Sequence, residues 1–239
     1  MSAQGEQPDG ENAPAPAPFS IVHRDDHLLV IDKGAGLVVH PGRGHHENTL
    51  SQLLAAELAG GDPERAGIVH RLDRETSGLM VVARDEETHR RLQSAIAERL
   101  VEREYLALVE GRPPSRTGTI DAPVGRDPRE RTRMAVGGAG AREARTHFTL
   151  KRSLAKASLL SLLLETGRTH QIRVHLQAIG HPVCGDPEYG TAGLYGLERQ
   201  FLHATRLAFE HPISGEALEF TAPLPAELQA ALERAERVS

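Results

Sequence analysis

The sequence predicts an α+β fold, a single domain with a large mixed or antiparallel sheet flanked by helices. Three observations lead there. Segments with the two-residue period of strands and segments with the 3.6-residue period of helices mix along the chain without a strict βαβ rhythm. No internal repeat divides the chain. Its 239 residues, 39% of them hydrophobic, suffice for a substantial core. Aromatic residues make up only 3%, so that core must come from Leu, Val, Ile and Ala.

The elements follow in order. Residues 1–18 are rich in Pro, Ala, Gly and acidic groups and have no apolar period, which predicts a disordered tail ahead of a domain over 19–239. Phe19–His23 and Leu28–Asp32 read as strands around the turn-like Arg24-Asp25-Asp26-His27. Thr49–Leu58 reads as a helix with Leu50, Leu53, Leu54 and Leu58 on one face, stopped by Gly60-Gly61. His45-His46 reads as part of a solvated loop. Gly78–Ala83 is a continuous apolar run, hence a buried strand. Asp85 is a candidate N-cap for a helix with Leu92, Ile96 and Leu100 as its buried stripe. Glu104–Glu110 alternates as a strand, with Tyr105, Ala107 and Val109 on one face. Arg145–Lys151 and Ser158–Glu165 are strands around a turn. Thr169 is a candidate cap for a helix from His170 to Ile179, with Gly180 following its C-cap. Phe201–Phe209 and Ala217–Thr221 are late strands, and Ala226–Arg237 is a closing helix.

Composition narrows the class. Cys184 is the only cysteine, so an internal disulfide and a multi-cysteine zinc site are excluded, and a reducing cytoplasm fits. No basic segment followed by an apolar one opens the chain, and no run reaches the ~18 apolar residues of a membrane span. The expectation is a soluble cytoplasmic protein with no membrane partner. The net charge of −5 hides a local cationic stretch. Residues 126–152 hold Arg126, Arg129, Arg131, Arg133, Arg142, Arg145, Lys151 and Arg152 against Asp127, Glu130 and Glu143. Such a stretch is what a nucleic-acid partner would meet.

Residues 70–78, His-Arg-Leu-Asp-Arg-Glu-Thr-Ser-Gly, carry the densest chemistry. They place Asp73 among His70, Arg71 and Arg74, between an apolar entry and an apolar strand. A carboxylate among fixed cations stays ionised at neutral pH. That suits a nucleophile or an electrostatic stabiliser rather than a proton donor. An isolated Asp–Arg pair is more often a surface salt bridge. Here Thr76, Ser77 and Gly78 link the charges to a buried strand, and loops at sheet edges are where sites are commonly built. The pattern alone leaves both readings open.

A second cluster spans Glu165–Leu176. Ile172, Leu176 and Ile179 form a core stripe, and Arg173 lies along its border, placed to meet a buried carboxylate. Without a partner it would be part of a solvated face. His170 and His175 are five apart and fall on different helix faces, so a metal site there is not expected. Tyr105 is one of three tyrosines. It is either a core aromatic or a platform on which a nucleobase stacks. No phosphate-binding loop, dinucleotide fingerprint, Gly-x-Ser-x-Gly or Cys-x-x-Cys is present.

Four segments together resemble one family. His70-Arg71-Leu72-Asp73 with Thr76-Ser77-Gly78 resembles the catalytic motif of the RluA/RluD-type RNA pseudouridine synthases (ribosomal large subunit pseudouridine synthase-like). Arg103–Gly111 resembles the strand that bears their base-stacking tyrosine. Gly167–Leu176 resembles the motif whose arginine pairs with the catalytic aspartate. Gly185–Gly190, Leu202-His203-Ala204 and His211–Gly215 resemble their C-terminal signatures. The likeness runs in order from about Phe19 to about Pro225.

The resemblance implies a pseudouridine synthase catalytic domain that isomerises uridines in structured RNA, with large-subunit ribosomal RNA the first expectation and transfer RNA, or both, the alternative. It implies Asp73, Tyr105 and Arg173 as the catalytic set. Arg71, Arg74, Arg168, His170, Arg129, Arg131 and Arg133 are the candidate RNA contacts. No cofactor, metal or nucleotide is implied, and the protein is expected to act as a monomer. Many larger members carry an N-terminal S4-like RNA-binding domain, for which residues 1–18 leave no room. Substrate selection is therefore expected from the catalytic domain itself or from residues 126–152. A non-catalytic RNA-binding or ribosome-assembly module is a second reading, and intact Asp73, Tyr105 and Arg173 speak against it. A glycoside-cleaving enzyme would need a pair of carboxylates, and the sequence offers one well-placed carboxylate.

Overall fold

The computed structural model describes residues 18–42, 47–130 and 132–238. The tail except Pro18, His45-His46 and Arg131 lie outside these residues. Strands β1 (Phe19–Arg24) and β2 (Leu28–Lys33) lead through the short helix α1 (Leu50–Leu53) to β3 (Ser77–Ala83) and helix α2 (Glu86–Ala97). Then follow β4 (Glu102–Glu110), β5 (Thr117–Asp121), β6 (Val124–Arg126), β7 (Met134–Val136), β8 (Ala139–Arg142), β9 (Arg145–Ser153) and β10 (Ala157–Leu164). Helix α3 (Gln171–Ala178), β11 (Leu202–Glu210), β12 (Ala217–Thr221) and α4 (Ala226–Glu236) complete the order.

Nine strands form one sheet in the order β1-β2-β3-β11-β4-β10-β9-β5, with β12 paired to β11. Strands β7, β6 and β8 form a separate small sheet. The large sheet is mixed. Its described pairs are antiparallel except β3 with β11, which run parallel and meet at Ser77–His203 and Gly78–Ala204. This is the α+β architecture that the pattern predicts.

Local chemistry sets the elements. Asp25 Oδ1 accepts the backbone N–H groups of His27 and Leu28, closing the turn between β1 and β2. Asp85 Oδ1 accepts the Thr88 N–H and caps α2, whose first turn carries Glu86 and Glu87. Side-chain alternation splits β2 and β3 between two cores. Leu29, Ile31, Met80 and Val82 face the larger core, closed by Ile172 and Leu176 of α3 and Leu228 and Leu232 of α4. Leu28, Val30, Leu79 and Val81 face the smaller core, closed by Leu92 of α2 and by Leu207 and Phe209 of β11. A strand buried on both faces reads as an unbroken apolar run, which is why β3 is legible as buried.

Three helices differ from expectation. Helix α1 ends at Leu53 because Leu54 leaves helical dihedrals (φ −105°, ψ 11°), and its successors continue as turns. Leu50, Leu54 and Leu58 are buried, whereas Leu53 faces solvent. Helix α2 ends at Ala97 and Arg99 turns left-handed (φ 64°), so Leu100 points outward and Val101 takes the buried position. Helix α3 starts at Gln171, with left-handed His170 as its N-cap and no side-chain cap from Thr169. Gly180 takes the left-handed conformation (φ 80°) just beyond its C-cap, as expected, and Ile179, past the helix end, is exposed.

Gly78 permits the parallel contact of β3 with β11. Its φ is +116°, and a Cβ there would lie 2.2 Å from the Ala204 carbonyl oxygen. Gly78→Ala is expected to destabilise the fold by about 2 kcal/mol or more through overpacking and backbone strain. Urea unfolding of the variant against wild type measures this, and an unchanged midpoint would refute it.

Candidate active site

Asp73 lies on the loop that feeds β3, and that loop is pinned at successive residues. The Thr76 N–H donates to the Asp73 carbonyl at 3.0 Å. Lys33 Nζ donates to the Arg74 carbonyl at 3.0 Å, and also to the carbonyls of Gly34 and Leu37. Arg199 donates to the Glu75 carbonyl at 2.9 Å and to Ser77 Oγ at 3.0 Å. Gln200 reaches Thr76 Oγ1, and Ser77 Oγ meets His203 Nδ1 at 2.9 Å. Lys33 is fully buried, and burial lowers its pKa to about 7, against the opposing charge of Glu75.

The loop opens onto a cleft of about 730 Å³ that brings Asp73, Tyr105 and Arg173 together. Arg173 is buried on α3. Its Nε and Nη2 donate to the two oxygens of Asp186 at 2.6 and 2.8 Å, and Nη2 donates to Glu188 at 2.7 Å. The remaining nitrogen, Nη1, stands 3.5 Å from Asp73 Oδ2. Burial disfavours the Arg173 cation, but the Asp186 hydrogen bonds and the charges of Asp186, Asp73 and Glu188 outweigh it, so its pKa is raised. The guanidinium also lies 4.8 Å from the Tyr189 ring centroid, and Tyr189 Oη accepts the Met134 N–H.

The cations adjacent to Asp73 in sequence do not surround it in space. Consecutive side chains diverge along the loop. Arg74 is exposed, pairs with Glu75 at 3.0 Å and does not line the cleft. Arg71 is exposed in the cleft lining, 3.4 Å from His40 Nε2. His70 is half-buried and turned inward, where desolvation and the charge of Arg103 lower its pKa to about 3. Its Nε2 accepts the Val81 N–H, which places the proton of the neutral ring on Nδ1. The cation that reaches Asp73 therefore comes from 100 residues downstream.

Tyr105 is buried on β4, its pKa raised by desolvation, and its ring lines the cleft. Arg168 and His170 also line it. Gln171 secures their loop: its Oε1 accepts the Arg168 N–H and the Thr166 hydroxyl, and its amide nitrogen donates to the Arg145 carbonyl. Arg133 packs over Tyr189 at 4.8 Å, outside the cleft lining, and Arg129 also lies away from it. Within the cationic stretch, Arg142 lines the cleft, whereas Arg145 is tied to Asp121 and Glu165, and Arg152 to Glu236. The spacing of charges along the chain could not show these internal pairings.

Asp186 and Glu188 have no assigned role in the sequence reading, although both lie in the quoted segment Gly185–Gly190. Arg103 is also missed. Among the described residues no three His, Cys, Asp or Glu side chains are grouped to hold a metal ion.

Comparison with known proteins identifies the family. Residues 27–178 match the family model described as RNA pseudouridylate synthase. The chain is 48% identical over 227 residues to a ribosomal large subunit pseudouridine synthase D of Nitrosomonas europaea, covering 90% of this chain and 65% of that protein. It is 44% identical over 232 residues to the protein of the same name from Zymomonas mobilis, covering 91% of this chain and 73% of that one. In structure it resembles human RNA pseudouridylate synthase domain containing 4, with a TM-score of 0.70 and 28% identity over 90% of this chain and 92% of that one. The chain belongs to the RNA pseudouridylate synthase family. It spans just under two thirds of the length of some curated relatives that it matches, 65% for the Nitrosomonas protein.

Two outcomes follow from the geometry. Asp186→Asn keeps the shape but removes the charge that Arg173 faces, and should cost about 3 kcal/mol of stability because a buried cation loses its main partner. Chemical denaturation tests this, and a loss under about 1 kcal/mol would contradict the pairing. Lys33 in the unfolded chain holds its proton up to about pH 10.5, whereas the folded protein releases it near pH 7. The unfolded state therefore binds more protons between these values, and the Lys33 contribution to stability rises with pH across that window. The stability of wild type relative to Lys33→Met, measured from pH 6 to 10 by urea unfolding, should climb above about pH 7; a flat difference would refute a depressed Lys33.

Proposed function

We propose that this chain is an isomerase that converts specific uridines of structured RNA to pseudouridine, with large-subunit ribosomal RNA as the substrate and the cytoplasm as its place of action. The observation that carries the reading is the approach of Arg173 Nη1 to Asp73 Oδ2, 3.5 Å apart in a cleft that also presents Tyr105. The names of the relatives from Nitrosomonas and Zymomonas support ribosomal RNA as the substrate.

The reaction breaks the bond from the uracil nitrogen to the ribose, rotates the base and rejoins it through carbon. It changes no oxidation state and consumes no energy source. The target base must leave its stack, which costs ~a few kcal/mol. Stacking on Tyr105 returns ~1–3 kcal/mol of this. Asp73 is the essential group, attacking the sugar, attacking the ring or taking a sugar proton. In each case Arg173 orients the carboxylate from one side, while the pinned loop fixes it from behind. Arg71, Arg168, His170 and Arg142 surround the cleft with positive or hydrogen-bonding groups for the RNA backbone. Arg129 and Arg133 sit farther out, near the small sheet, and extend this surface.

The test is pseudouridine mapping of total RNA, by a chemical adduct that stops reverse transcription, in cells with and without the gene. One or a few stops should vanish on deletion and return with wild-type protein. Asp73→Asn should lower turnover by at least about 10³-fold while RNA affinity stays within a few-fold. Substantial turnover by that variant would sink the assignment of Asp73. No change in any stop would favour a binding or assembly role instead.

A further inference from the structure

Arg103 is a buried charge that the mechanism above leaves unused. It precedes Tyr105 by two residues on β4, so both side chains leave the same face of the sheet. Each is only 5% exposed, and both line the cleft. Arg103 Nε is buried without an acceptor, and no described residue accepts a hydrogen bond from the terminal nitrogens. The two other buried arginines each have a carboxylate partner, although Arg199 Nε also lacks an acceptor. Arg173 has Asp186, Glu188 and Asp73, and Arg199 has Glu227 and several carbonyls.

A desolvated guanidinium with no counter-ion is costly to keep. The surrounding residues nevertheless make room for it. Gly167 faces it, and a Cβ at that position would come within 3.1 Å of Arg103 Nη1. Its neighbour His70 is neutral and cannot balance it. The hydroxyl of Tyr105 senses the charges of both Arg103 and Asp73, so the three residues share one end of the cleft.

The depth of Arg103 identifies its ligand. Arg71, exposed in the same lining, is open to a backbone phosphate, whereas Arg103 is buried beside Tyr105, at the depth a base stacked on that ring would occupy. We propose that Arg103 is a catalytic residue that receives the negative charge carried by the uracil ring while it is detached from the ribose. This rests on the pseudouridine synthase reading and adds the group that stabilises the departing base.

With Asp73 acting at the sugar, the electron count leaves a negative charge on the base for such a group to meet. When the N1–C1′ bond breaks, its electron pair stays with uracil. At C1′ that bond is replaced by a bond to an Asp73 carboxylate oxygen, or by a C1′=C2′ double bond if Asp73 takes the C2′ proton. Uracil is then a monoanion with its charge spread over the ring nitrogens, O2 and O4. On return, C5 bonds to C1′ while the Asp73 oxygen leaves, or while the proton returns to C2′. The C5 proton is then lost and N1 gains one, so the product is an isomer of the substrate. Between these steps a fixed cation at base depth stabilises the anion without any reorganisation.

The experiment compares wild type with Arg103→Met and Arg103→Lys on large-subunit ribosomal RNA transcribed in vitro. It reads the single-turnover rate at saturating protein, the RNA Kd and the Tm. Arg103→Met is expected to be about 10²-fold slower. Its Kd should stay within about twofold and its Tm should equal or exceed that of wild type, because an unpaired buried charge has gone. Arg103→Lys should recover part of the rate. On RNA carrying 5-fluorouridine, whose base leaves as a more stable anion, the deficit of Arg103→Met should shrink. The proposal is overturned if wild type is active and Arg103→Met matches its rate. It is overturned equally if the loss lies wholly in Kd, as for a phosphate contact, or if Tm falls and the deficit is the same for both bases. If wild type converts no uridine in ribosomal or transfer RNA transcripts, the functional reading itself fails, and the proposal falls with it.

Discussion

One guanidinium organises the site. Arg173 spends two of its nitrogens on Asp186 and Glu188, and this fixes the third toward Asp73. Asp186 is fully buried and also accepts the backbone N–H groups of Glu188 and Tyr189, so the chain after β10 and α3 folds around the same carboxylate. A buried pair of this kind contributes little net stability once desolvation is counted. Its value here is orientation. The planar, bidentate geometry with Asp186 leaves Arg173 little freedom to turn away from the cleft.

The second constraint acts from behind the reactive loop. Lys33 and Arg199 hold the carbonyls of Arg74 and Glu75, while Gln200 and His203 hold the hydroxyls of Thr76 and Ser77. These groups come from β2, from the segment entering β11 and from β11 itself, the strands on either side of β3. Fixing the backbone in this way keeps Asp73 in place without a direct bond to its carboxylate, which stays available to react. Buried polar side chains therefore serve the loop, and the apolar cores on the two faces of the sheet hold those side chains at the correct height.

Much of this was legible in the sequence, for identifiable reasons. Strand β3 announces itself because burial on both faces demands an unbroken apolar run, and Asp85 announces α2 because the cap is local. The ordered motifs around Asp73, Tyr105 and Arg173 point to three residues that do share a cleft. The errors arise where long-range packing overrides local pattern. Leu53 and Leu100 fit a helical stripe, but their helices stop short and other residues fill the cores. Arg74 is next to Asp73 in sequence, yet it turns to Glu75, while the carboxylate's cation comes from α3. Asp186 and Arg103 escaped notice for the same reason: nothing within a few residues of either shows that one has a buried partner and the other has none.

The parallel contact of β3 with β11 has a consequence for how the chain acquires its site. The groups that fasten the reactive loop, Arg199, Gln200 and His203, lie 122 to 126 residues after the residues they hold. During synthesis, Asp73 emerges long before them, and so does its strand. A partly made chain can pair β1, β2 and β3 and cover them with α2, but its reactive loop has no fastening on the β11 side. Closing so long a loop is slow compared with forming local hairpins. The nascent protein therefore passes through a stage in which its sheet is begun and its chemistry is absent, and catalytic competence arrives late, with the strand that completes the middle of the sheet.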